Sequence, residues 1–175
     1  MLDQLKAQMQ GAYTTENLQE LECMEAMLRL DHFGSGDALQ LGNQIVESAK
    51  EHGGDIIVRI IRMEDELPIF QYVGDSKDQH NIDYALMKGN TVAATGHCSL
   101  WALVTELTSG GVASVFHEGS DCLPVGGAFP IYVGGEMAAI IMTSGLHDGM
   151  DHVVVVEAIC SMQNAEVPVF SGKLV

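Results

Sequence analysis

Basic side chains are scarce: eight lysines and arginines stand against 24 aspartates and glutamates, a net charge of −16 over 175 residues. Such a balance repels polyphosphate backbones and anionic bilayer surfaces within the range that salt permits, so neither nucleic acid nor membrane is expected as a partner. Acidic residues spread over helix faces also serve solubility, which needs no further function. Cysteine supplies no scaffold. Cys23, Cys98, Cys122 and Cys160 lie far apart without a CxxC pair, and the chain is long enough to bury a core without staples, so free thiols in the cytoplasm are the expectation. The opening residues lack a basic segment followed by an apolar run, and no apolar stretch reaches the roughly 18 residues of a membrane span.

Signatures of catalysis are missing too. Gly34-Ser35-Gly36 opens a helix but lacks the Lys-Ser/Thr of a phosphate loop, and Asp37 sets a negative charge where an anion would bind. Gly126-Gly127 leads into a strand and not a helix, so close backbone approach is its expected role. Ser99 has His97 nearby, yet no Gly-x-Ser-x-Gly surrounds it, and it reads better as a helix cap. The histidines form no HExxH, and His147 and His152 are five apart, on different faces of any shared helix. His97-Cys98 sets an imidazole beside a thiol, and either is a candidate ligand for a soft metal or a haem iron.

What is present is a clear alternation of elements. Leu2, Leu5 and Met9 share a helical face, and Leu21, Met24 and Leu28 share another after a Thr14 or Thr15 cap. This opening stripe either docks on its own domain or covers a neighbouring subunit. Ala38, Leu41, Ile45, Val46 and Ala49 keep helical spacing until His52-Gly53-Gly54. Residues 55–63 and 67–73 read as an antiparallel pair around an acidic turn, with Pro68 placing the second strand at an edge. Residues 79–94 and 99–107 read as helices and 109–124 as loop. Phe129 to Val133 and Met137 to Ser144 form a hairpin through Gly134-Gly135, the second strand apolar enough to be buried on both faces. Residues 148–162 read as a helix with an acidic start at Asp148 and Asp151. Two hairpins among helices describe an α+β domain around an antiparallel sheet.

Lys88-Gly89-Asn90-Thr91, His97-Cys98-Ser99, Gly126 to Ile131, Ser144-Gly145-Leu146 and Asp151-His152 occur in an order that resembles the GlcG/HbpS-like, or haem-degrading domain, family. Asp37-Ala38-Leu39 and Leu41-Gly42 extend the match. It covers about residues 30 to 162 and is nearest the compact, stand-alone cytoplasmic branch. The resemblance implies a profilin-like α/β/α sandwich with a five-stranded antiparallel sheet, formed by residues 31–175, behind an N-terminal helical extension of residues 1–30. It further implies a homo-oligomer and a small-molecule ligand, with haem or a related tetrapyrrole the best single candidate. The expected pocket combines Lys88, Asn90, Thr91, His97 and Ser99 with Phe129, Ser144 and Gly145; Lys88 and Arg59 are the candidate cations for propionates, and His97 the candidate iron ligand. Two other readings stand beside it, a haem-degrading or other small-molecule enzyme and a non-catalytic adaptor module. No flavin or nicotinamide site is written in the chain to supply a reductant.

Overall fold

Side-chain caps start α2, α3 and α4 where the sequence pattern predicts a helix. Thr14 caps α2 (Thr15–Met27): its Oγ1 accepts from Asn17 N–H at 3.4 Å while Asn17 Oδ1 accepts from Thr14 N–H at 3.0 Å. Asp37 does half of the same task for α3 (Ser35–Glu51), accepting from Gly34 N–H at 2.8 Å, which accounts for its charge in that turn. Asp78 caps α4 (Gln79–Thr95) through His80 and Asn81 N–H. Helix α1 spans Leu2–Met9, α5 Ser99–Thr108 and α6 Met150–Gln163, while the strands are β1 (Ile57–Arg62), β2 (Pro68–Val73), β3 (Ala128–Val133) and β4 (Glu136–Ser144). This computed structural model describes residues 1–147 and 149–175. The expected helix start at Asp148 lies outside the described residues; the helix itself is present from Met150.

The four strands form one antiparallel sheet in the order β2-β1-β4-β3. Pro68 opens β2 at one edge, where its missing donor leaves no ladder bond unmade. Pairing of Ile57 with Ser144 and Arg59 with Met142 sends Ile57, Ile140 and Met142 to the face under α4, while Val58, Ile60, Ile141, Phe129 and Ile131 face the main core. Helices α3 and α6 pack against each other on that core side, and α4 covers the other face. β4 is buried on both faces only from Ala139 onward, its first residues being the open end of the hairpin. Ile140 is 2% exposed in the smaller cluster beneath α4. Ile140→Val should therefore lower stability by about 1 kcal/mol in urea denaturation; no change at all would mean that the methyl contacts nothing.

Five strands were expected from the resemblance, and the sheet of the described residues has four. Among the described residues, the other edge of β3 forms a single parallel bridge, Leu30 N–H donating to Tyr132 O at 2.9 Å. Residues 109–127, which could have supplied a strand, instead turn repeatedly: Gly110, Gly111, Gly119 and Gly127 hold positive φ, and the bonds from Val115 and Phe116 N–H reach back only to Val112. Leu21 and Met24 of α2 and Leu28 at its C-cap are buried at 0%, 3% and 1% exposure, so this part of the opening stripe docks on its own chain, with α2 packed against α5.

Candidate functional site

Lys88, Ser144 and Gly145 come together as expected. They line an open groove of about 590 Å³ with Tyr84, Leu123, Val125, Leu146, His147, Asp151 and Lys173. Its floor rests on close backbone approach. Gly127 has φ +124°, and a Cβ there would lie 2.8 Å from Asp151 Cβ, 2.8 Å from Lys88 Nζ and 2.9 Å from Thr143 O. No side chain fits that space.

Lys88 is no free cation, however. It is 4% exposed, and its Nζ donates to Asp151 Oδ2 at 2.7 Å and to Thr143 O at 3.1 Å. Asp151 Oδ1 in turn accepts from Leu146 N–H at 3.0 Å. The buried pair thus ties α4, β4, the 145–147 turn and α6 together beneath the groove. Lys77 joins from the side, donating to Gly145 O at 3.0 Å. Three of the chain's five lysines, Lys77, Lys88 and Lys173, consequently meet around one groove in a molecule of net charge −16.

Asn90, Thr91 and Ser99 position the groove wall from behind. Asn90 Nδ2 donates to Asp121 O at 3.1 Å, Thr91 Oγ1 accepts from Leu123 N–H at 3.0 Å, and Ser99 Oγ accepts from Ala128 N–H at 3.1 Å while donating to Val125 O. These bonds hold Leu123 and Val125 against the groove. Ser99 is thus the first helical residue, not the cap: Cys98 takes the N-cap position, and its N–H donates to Glu25 Oε1 at 2.6 Å.

The remaining candidates lie elsewhere. His97 pairs with Glu25, Nδ1 to Oε2 at 2.7 Å, and stacks on Trp101 with ring centroids 3.9 Å apart, so it secures α2 to the α4–α5 turn and lines no part of the groove. Phe129 is 1% exposed in the main core. Arg59 sits on β1 opposite Gln71 and Met142, its Nε buried without a partner among the described residues. His147, weighed in sequence only for zinc spacing, is the exposed imidazole that the groove contains. Lys173 was missed because it lies in the tail beyond the recognised motifs, which is drawn back over the fold by Tyr13 Oη donating to Lys173 O at 2.8 Å and Gly126 N–H donating to Val175 O at 2.6 Å.

The chain belongs to the family described as haem degrading protein HbpS-like, whose pattern matches residues 33–160. It is 32% identical over 149 residues to a UPF0303 protein of Paraburkholderia phymatum, covering 83% of this chain and 88% of that relative. Among solved structures it is similar to Ybr137w protein, with a TM-score of 0.74 at 24% identity over 84% of this chain and 87% of that one. It is also similar to the PduOC:heme complex, with a TM-score of 0.61 at 18% identity over 78% and 99%. Both structural likenesses concern the fold. Among the described residues no helix is long and apolar enough to cross a membrane.

Proposed function

We propose that this chain binds an anionic, partly apolar small molecule in the Lys88 groove, with haem or a related tetrapyrrole as the ligand class. The observation that carries this reading is an apolar-walled concavity with exposed Lys173 on its lining and Lys77 at its rim in an acidic protein, the charge of Lys88 being balanced by Asp151. Family membership and the PduOC:heme neighbour support the same ligand. The residues present fit the group: His147 offers a nitrogen donor, Leu123, Val125, Leu146 and Leu174 offer apolar walls, and Lys173 offers a charge for a carboxylate. Lys88 and Asp151 fix the floor, and Ser144 and Gly145 form its edge. Residues 1–30 act as a helical extension that holds the tail in place, supported by the bonds of Asn17 and Glu20 to Ser171. A profilin-like, oligomeric, cytoplasmic protein completes this reading, on the strength of the family.

Hemin titrated into the apoprotein should shift and sharpen the Soret band saturably. Lys173→Ala should weaken that binding about three- to tenfold with unchanged thermal stability, because the side chain is exposed and only its backbone is engaged. His147→Ala should alter the iron spectrum as well as the affinity. A spectrum identical to that of free hemin, at protein concentrations far above micromolar, would remove this ligand.

A further inference from the structure

A second concavity lies between α6 and residues 165–174, with a volume of about 340 Å³. Its walls are apolar, built from Met24, Val156, Cys160, Val167, Phe170 and Leu174. His152 also lines it, is 3% exposed, and its Nε2 is buried without a hydrogen-bond partner among the described residues. A buried imidazole nitrogen left unpaired carries its full desolvation penalty, so a site of this kind favours whatever supplies the missing bond.

We propose that this cavity is a second binding site, taking a compact, neutral, mostly apolar molecule that carries one hydroxyl, of the phenol or alcohol class. The hydroxyl bonds to the His152 ring where it lines the cavity, and the carbon body replaces water against the valine, leucine and phenylalanine side chains. Anions are disfavoured by the lining itself. No lysine or arginine lines the cavity, while Glu157 and Glu166 do. Glu157 is turned toward α3, where its Oε2 accepts from Ser48 Oγ at 2.7 Å and lies 3.1 Å from His52 Nε2, leaving it no part in holding a ligand. Burial also pushes the His152 pKa down to about 4, so the imidazole is neutral at physiological pH and offers a carboxylate no ion pair to offset its desolvation. The site is separate in chemistry from the lysine groove: one prefers a charged ligand, the other rejects it.

The test is titration of the ¹⁵N-histidine-labelled full chain at neutral pH with p-cresol, toluene and benzoate, followed by NMR. p-Cresol should bind saturably and move the ring nitrogen resonances of His152 alone. Toluene should bind about five- to tenfold more weakly, the factor that one hydrogen bond contributes, and benzoate should not bind. Val167→Phe, which fills the cavity from the tail side without replacing His152, should weaken p-cresol at least tenfold, whereas Lys173→Ala should leave it unchanged. Unmoved His152 resonances, toluene equal to p-cresol, benzoate binding as tightly, or an indifferent Val167→Phe would each overturn the proposal. None of these outcomes depends on hemin, so the two sites fail or stand separately.

Discussion

Lys88→Ala should destabilise the fold by about 3–5 kcal/mol, far beyond what loss of a surface charge would do. Lys88 is 4% exposed, and its removal would leave the Asp151 carboxylate, equally at 4%, buried with only the Leu146 N–H as a donor. An uncompensated charge in that environment is costlier than the pair was favourable, because desolvation is no longer offset by attraction. Adding Asp151→Asn should restore most of the loss. An asparagine retains an oxygen that accepts from Leu146 N–H while carrying no charge, so the double variant should lie closer to the parent than Lys88→Ala alone. Urea denaturation of the three proteins decides it. A loss below about 1 kcal/mol in Lys88→Ala would show that water reaches Asp151 and that the groove floor is open. The same experiment explains why Lys88 is a poor probe of ligand binding: an affinity change in that variant would report a disturbed floor, and Lys173 is the cation whose removal leaves the fold intact.

What the sequence made legible was local. Gly134-Gly135, with φ of +58° and +88°, marks the hairpin, and Gly126-Gly127 marks close backbone approach, because each depends on a conformation or a space that only glycine accepts. The helical spacing of Ala38, Leu41, Ile45 and Ala49 is buried throughout, as periodicity implies. The four strands follow from residue patterns alone; the fifth came from family resemblance, and the glycine-turned 109–127 segment does not supply it. Partnerships were not legible. Lys88 and Asp151 are 63 residues apart, and His97 and Glu25 are 72 apart, so no spacing rule links them. A scarce cation in an acidic chain invited a ligand role for Lys88, and only the folded arrangement supplies the carboxylate that already satisfies it. The tail carried no motif, yet Ser171 fastens it to α2, the Lys173 carbonyl fastens it to Tyr13 just before that helix, and Leu174 lines both concavities. Asn90, Thr91 and Ser99 show the same limit in milder form: expected to line the pocket, they bond to backbone groups of its wall, partners that no spacing rule supplies.

Acid should weaken the protein before its carboxylates begin to titrate, and His152 is the reason. Burial, the cause of its shift, lowers its pKa from 6.5 to about 4, so on acidification the unfolded chain takes up this proton while the native state does not. Stability from His152 is therefore complete above pH 6.5, declines as the pH falls, and is lost by about pH 4; at about 1.4 kcal/mol for each pH unit between the two pKa values, the total is about 3 kcal/mol. The charged neighbours do not cancel it. Asp151 is held by Lys88, Glu157 by Ser48 and His52, and Glu166 lines the cavity without a bond to the ring. Glu20, whose carboxyl is held below the ordinary range chiefly by the Ser171 hydroxyl, and Asp55, held there chiefly by Ser76 N–H, contribute in a lower window, since their stabilisation is lost only below the unfolded carboxylate pKa. Urea midpoints measured between about pH 7.5 and 5 should fall for the parent and fall much less for His152→Leu, which fills similar space without a titrating group. Parallel declines in the two proteins would show that His152 is solvated in the native state and does not drive the acid response.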